Sequence, residues 1–283
     1  MHGTARVVDA DRYGEQATTS IRPLQRPVGE LLREWRESRH LSQLEFSLQA
    51  GISARHLSFV ETGRSLPSRE MILRLAEQLD VPLRERNHLL LAAGFAPAYA
   101  ETPLDSPAMA AVRAAVRQVL GGHEPYPAMV VDRGWNLVDA NASLAIFLDG
   151  VAQEVLTPVA NCMRIALHPN GLAPRIINLG EWRAHLLGRL RRQIARTADA
   201  ELSALFEEVA AYPCNQTEPD IELPGPGDIF APLRIRHEGQ NLSFFGTVAT
   251  FGSALDITAA ELSIESFYPA DAETAAALRS RQV

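Results

Sequence analysis

The stretch SQLEFSLQAGISARHLSFVETGRSLPS, residues 42–68, decides the fold of the first third of the chain. Ser42 and Glu45 have the spacing of a capping box, in which each side chain satisfies an orphan N–H of a helix start. Gly51 can end that helix with a positive φ. Ser53 opens a second short helix that buries Leu57 and Val60 and stops at Gly63. The small Ser47 lets the two helices approach closely. Ala54, Arg55, His56 and Phe59 are left on the outward face. A capped helix, a glycine turn and a short second helix with one free face are what a helix-turn-helix needs to enter the major groove.

Working outward, Val28, Leu31, Leu32 and Trp35 repeat at 0, 3, 4, 7 and predict a preceding helix. Ser68 caps a fourth, whose inward face is Met71, Ile72, Leu75, Ala76 and Leu79. Leu89 to Ala92 lie on a fifth that ends at Gly94. Residues 27–95 are thus expected to form an all-α, five-helix helix-turn-helix domain. Residues 1–26 are polar and aperiodic and read as a disordered tail. Residues 96–107, APAYAETPLDSP, read as a linker.

A helix near 108–120 opens the second domain, expected over 108–275 with a short tail at 276–283. Met129–Asp132 and Trp135–Asn141 read as strands joined by a turn at Arg133-Gly134. Helical stretches follow near 142–149, 151–166, 181–196 and 199–211. Ile229–His237, Asn241–Phe251 and Glu261–Tyr268 close the domain as strands. This order predicts an α+β domain: a five-stranded antiparallel sheet with its helices segregated to one side.

Composition narrows the function. The chain has 283 residues, 46% hydrophobic and 22% charged, so it can build real cores. All 27 basic residues are arginine. The net charge of −7 is uneven: residues 22–99 hold 11 Arg against 9 acids, whereas residues 100–283 hold 14 against 22. Nucleic-acid binding is therefore expected of the first hundred residues only. Two cysteines, Cys162 and Cys214, exclude a disulfide scaffold. No apolar run approaches a membrane span, and MHGTARVVDADRYGEQ lacks the apolar core of a secretory signal. A cytoplasmic protein is expected. No metal-ligand spacing, phosphate loop or nucleophile motif occurs, so neither metal, cofactor nor enzymatic activity is expected.

Residues 28–95 resemble the helix-turn-helix domain of the Xre and Cro/phage-repressor class. The run HLSFVETGRSLPSREMILRLAEQLDVPLRERNHLLLAAGFAP is similar to that of bacterial MmyB-like regulators. EPYPAMVVDRGWNLVDAN, ALHPNGLAPRIINLGEWRAHLLGRLRRQ, LSFFGTVATFGSALDIT and ELSIESFYPAD resemble their ligand-binding domain. The resemblance spans roughly residues 28–275. It implies a PAS-like second domain, in accord with the strand–helix–strand order, and a small apolar, fatty-acid-like ligand. It also implies that Gln43 lies near the DNA backbone and that Arg36 pairs with Glu61.

Ser42 and Ser53, at helix starts, are placed to meet phosphates. Arg55 is the expected reader of guanine, Phe59 a contact for a thymine methyl, and Arg64 a phosphate contact. A homodimer on a palindromic operator in double-stranded DNA is expected. For the ligand, Trp135, Phe147, Met163, Trp182, Phe244 and Phe251 are candidate walls. Arg164, His168, Asn178 and Arg183 are candidate anchors for a polar head. Three rival readings remain: an enzyme with a DNA-binding appendage, a haem or redox sensor with His185 as axial ligand, and a second domain that only dimerises or contacts a protein partner.

Overall fold

The computed structural model describes residues 26–197, 199–217, 231–252 and 254–280. Residues 1–25 of the tail expected over 1–26, the Pro-rich acidic stretch EPDIELPGPGD at 218–228 and the strand start at Ile229 lie outside the described residues.

The first domain holds α1 (Val28–Glu37), α2 (Gln43–Gln49), α3 (Ala54–Glu61), α4 (Arg69–Gln78) and α5 (Leu83–Ala92). The capping box is complete: Ser42 Oγ accepts from the Glu45 N–H at 3.2 Å, and Glu45 Oε2 accepts from the Ser42 N–H at 2.8 Å. Gly51 turns the chain with φ +64. Leu32, Phe46, Leu57, Val60, Ile72 and Leu75 are fully buried in one core. Gly29 permits the tight crossing of α1 on α3, since a Cβ there would sit 2.2 Å from the Val60 carbonyl oxygen.

The second domain opens with α6 (Ala110–Gly122), then β1 (Ala128–Val131) and β2 (Leu137–Ala140). Helices α7 (Ala145–Leu148), α8 (Gln153–Leu156), α9 (Cys162–Leu167), α10 (Leu179–Thr197) and α11 (Ala200–Ala210) follow. The chain closes with β3 (Leu233–His237), β4 (Gln240–Thr250), α12 (Ile257–Ala260), β5 (Ser263–Pro269) and α13 (Ala272–Arg279). The sheet order is β2-β1-β5-β4-β3, antiparallel throughout. Trp135 is not on the second strand but in the turn before it, with φ +66.

Three expectations change. The helix read over 151–166 is two, because Pro158 interrupts the pattern and Asn161 starts α9 afresh by accepting from the Met163 and Arg164 N–H groups. The helices are not confined to one side of the sheet. Period-two alternation sends Ala128, Val130 and Ile264 to one face, where Val116 and Leu120 of α6 cover them. Met129, Glu265 and Phe267 go to the other, beneath α7–α11. Residues 276–279 are not tail: α13 runs through them and buries Leu278 in the main core.

Residues 96–107 join the two domains and are held to both. Asn87 of α5 accepts from the Ala98 and Tyr99 N–H groups and donates to the Tyr99 carbonyl. The Ala100 carbonyl accepts from the Ile257 N–H of α12, and Thr102 donates its hydroxyl to Asp256. The segment is a strap stitched to both domains.

A buried ion pair locks α1 to α3. Arg36 donates Nε and Nη2 to the two Glu61 oxygens at 2.7 and 3.0 Å, with side chains 8% and 1% exposed. Gln43 Nε2 donates to Glu61 Oε2 at 2.7 Å, and Arg36 Nη1 donates to the Leu41 carbonyl. Removing one partner strands the other charge in the core. Glu61→Ala is expected to cost about 3–5 kcal/mol, read as a lowered first thermal transition of the full chain. An unchanged transition would refute the pair's structural role.

Candidate functional site

The outward surface of α3 carries the DNA-facing candidates. Ser53 caps the helix by accepting from the His56 N–H at 3.1 Å. Leu57 and Val60 hold the helix by its inner face, which leaves Arg55 exposed and Ala54 and His56 half-buried. Phe59 is half-buried and braces two cations: the Arg55 and Arg64 guanidinium carbons lie 5.4 and 5.8 Å from its ring centre. The ring thus restrains two long side chains that would otherwise lose rotamer freedom on binding. Ser42 is exposed at the start of α2. Gln43 is half-buried at the start of α2 and donates Nε2 to Glu61, which ties it to the α1–α3 ion pair.

In the second domain, the sheet face opposite α6 is roofed incompletely and leaves a cavity of about 300 Å³. Three neighbouring positions across the sheet floor it: Met129 and Val248 are both paired to Glu265, and Gly246 lies opposite Phe267. Of the candidate walls, Trp135, Phe147, Met163 and Trp182 line it. Phe244 lies in the core behind it, its ring 5.3 Å edge-on from Phe147. Phe251 falls on the opposite face, in the α6 cluster.

None of the four expected polar anchors reaches the cavity lining. Arg164 forms a bidentate pair with Glu208 at 2.8 and 2.7 Å. Arg183 is buried and donates to the Val209 and Ala210 carbonyls that end α11 and to the Tyr212 carbonyl just beyond it. His168 Nδ1 accepts from the Asn170 N–H, and its ring meets Tyr212 edge-on. Asn178 bridges Glu181, the Pro232 carbonyl and the Arg234 N–H. Arg164, Arg183 and Asn178 are satisfied by partners distant in sequence, which composition and spacing do not reveal, whereas His168 is held by Asn170 two residues on.

The polar groups that do line the cavity come from α10 and β5. Trp182, His185, Leu186, Arg189 and Arg192 follow at three- and four-residue steps on one helix face. Reading that stripe through its charged members would have found them. Arg189 grips Glu265 at 3.0 and 2.7 Å and covers the Trp135 ring at 4.7 Å. Burial pushes the His185 imidazole down to about 4, and Arg189 and Arg192 act the same way, so it is neutral at physiological pH. Arg192 is exposed at the rim and makes no ion pair among the described residues. Burial, with Glu265 and Asp132 nearby, pushes the Cys162 thiol up to about 12.

Fold and sites together define a transcription regulator: a helix-turn-helix DNA-binding domain joined to a domain hollowed for a small molecule. Residues 32–86 match the helix-turn-helix family model, and residues 112–280 match that of the MmyB-like transcription regulator ligand binding domain. The chain belongs to the MmyB-like transcription regulators. Over 56 residues, 20% of the chain, it is 36% identical to the ImmF control region 10 kDa protein of Bacillus phage phi105. It spans 62% of that relative's length.

Two measurements check these assignments. Against a selected operator, Arg55→Ala is expected to cost about 1–3 kcal/mol at a single base pair. Arg64→Ala is expected to weaken all sequences alike and lower the salt slope by about one. Wild-type discrimination by Arg55→Ala would misplace the recognition surface. Separately, alkylation needs the thiolate, so iodoacetamide at pH 8 is expected to label Cys214 well before Cys162. Equal labelling would contradict the sheltered thiol and favour a redox role.

Proposed function

We propose that this protein is a cytoplasmic, sequence-specific regulator that binds a palindromic operator as a homodimer. Its second domain takes up a small apolar molecule with an acidic head. The strand order β2-β1-β5-β4-β3 supports the PAS-like reading of that domain. One observation carries the ligand class: a mostly apolar cavity whose rim bears Arg192, a cation with no ion pair among the described residues. The apolar walls favour a hydrocarbon body. Arg192 beside the neutral His185 favours a carboxylate at the mouth. A volume of about 300 Å³ holds on the order of ten groups of water size, which points to a medium-length chain such as decanoate. Each buried methylene adds about 0.8 kcal/mol, enough to outweigh the ordering of a short flexible chain. Sequence specificity rests on Arg55, Arg64 adds a sequence-independent phosphate contact, and two-fold pairing doubles the few base contacts that one α3 can make.

The test is thermal unfolding of lipid-stripped full chain against straight-chain fatty acids of graded length. The midpoint is expected to climb with each carbon up to about decanoate and then level off, because ligand binds only the folded state. Arg192→Gln is expected to lower the shift from decanoate and leave that from decanol unchanged. Gly246→Leu fills the cavity from its floor, where an added Cβ meets only the Phe267 ring at 3.7 Å; it is expected to abolish both shifts. A midpoint indifferent to chain length would overturn the apolar-ligand reading and leave a second domain that only dimerises.

A further inference from the structure

We propose that the turn between β1 and β2 reports occupancy of the cavity to the DNA-binding domain, through the series Trp135–Gln193–Arg133–Glu261–Arg84. The inference rests on the cavity being the effector site and names the route by which that site controls the first domain. At one end, Trp135 lines the cavity with its ring pinned under Arg189. Its Nε1–H donates to Gln193 Oε1 at 2.8 Å. Gln193 Nε2 in turn donates to the Arg133 carbonyl at 2.8 Å, so one α10 side chain holds both sides of the turn. The Arg133 guanidinium pairs with Asp199 at the start of α11 and lies 3.8 Å from Glu261. At the far end, Arg84 of α5 donates Nε and Nη2 to the two Glu261 oxygens, both at 2.8 Å, and Nη1 to Glu101 of the strap at 2.9 Å.

Two features make this series a transmitter rather than a set of neighbours. First, the turn moves as a unit. Asp132 accepts from the Gly134 and Asn136 N–H groups, and Asn161 Nδ2 donates to the Gly134 carbonyl. The Trp135 carbonyl accepts from the Cys162 N–H. A shift of the Trp135 ring therefore displaces Arg133 with it. Trp135 is also the residue in the turn with positive φ, a strained setting for a bulky side chain. Second, Glu261 is shared. It directly follows α12, whose Ile257 N–H is tied to the strap, and it meets Arg133 from one domain and Arg84 from the other. A ligand that displaces Trp135 alters how Glu261 divides itself between the two arginines, and α5 feels the change. Coupling between distant sites requires an element with two arrangements, and Glu261 is assigned that part.

The test uses the full chain and separates the route from the ligand. Gln193 does not line the cavity, so Gln193→Met cuts the route without removing a ligand contact. In lipid-stripped protein, hydrogen exchange of α5, residues 83–92, is expected to accelerate several-fold in Gln193→Met. Arg84→Gln, which opens the same junction directly, is expected to do likewise. Gln193→Glu keeps the acceptor for Trp135 but loses the donor to Arg133, and is expected to match Gln193→Met. Unchanged α5 protection in both Gln193 variants would overturn the proposal whatever the ligand. Decanoate is then added to wild type and Gln193→Met. Equal affinity for decanoate, with α5 exchange responding in wild type only, supports the route. An equal α5 response in the variant overturns it. Failure of wild type to bind decanoate overturns the fatty-acid reading alone, and the route then stands or falls by α5 exchange in the ligand-free variants.

Discussion

Alternation along β1 and β5 is the constraint on which the second domain depends. Successive side chains of a strand point to opposite faces. Ala128, Val130 and Ile264 must therefore be covered by one layer, and Met129, Glu265 and Phe267 by another. The single helix α6 seals the first face with Val116 and Leu120. The second face is roofed by several helices, three of them six residues or shorter, and short helices do not close on a sheet as one long helix does. The hollow they leave is bounded by the long helix α10, which supplies both an aromatic wall and an arginine rim. The cavity is thus a consequence of layering rather than a defect in packing.

The charges around the hollow divide into those that build and those that remain available. Arg183 satisfies the last carbonyls of α11, at Val209 and Ala210, Arg164 is matched by Glu208, and Arg189 neutralises the buried Glu265. A buried carboxylate without such a partner is costly, so Arg189 is more valuable as scaffold than as ligand contact. Arg192 has no such task among the described residues, and solvent reaches it at the rim. The same division holds in the first domain. Arg36 is consumed by Glu61, whereas Arg55 and Arg64 lean on Phe59 and keep their donors for a partner.

Much of the first domain was legible because its signals are local. The 0, 3, 4, 7 spacing of α1, the Ser42–Glu45 box and the glycines at 51 and 63 each fix a helix within a few residues. The strands were legible from alternation, apart from Trp135, whose positive φ no residue preference announces, and Glu261, which ends α12 rather than opening β5. What could not be read depends on contacts distant in sequence. Gln43 is drawn to Glu61, 18 residues on, by a buried charge that needs a further donor. The strap at 96–107 looks like a spacer because its anchors, Asn87 and Asp256, lie outside it. Arg164 and Arg183 were attractive anchors by chemistry alone, yet the α11 groups that claim them lie 26 to 44 residues away.

Control of DNA binding by the cavity requires that the two domains communicate, and the strap and the Arg84–Glu261 junction give them a stiff connection. The most direct measurement is the dissociation constant of full-length, lipid-stripped protein for its selected operator, with and without saturating decanoate at fixed salt. A shift of about 5- to 150-fold, the range of ordinary coupling energies, with the Arg55 base preference retained, is the expected result. An identical constant in the two conditions, with decanoate shown to be bound, would contradict ligand control.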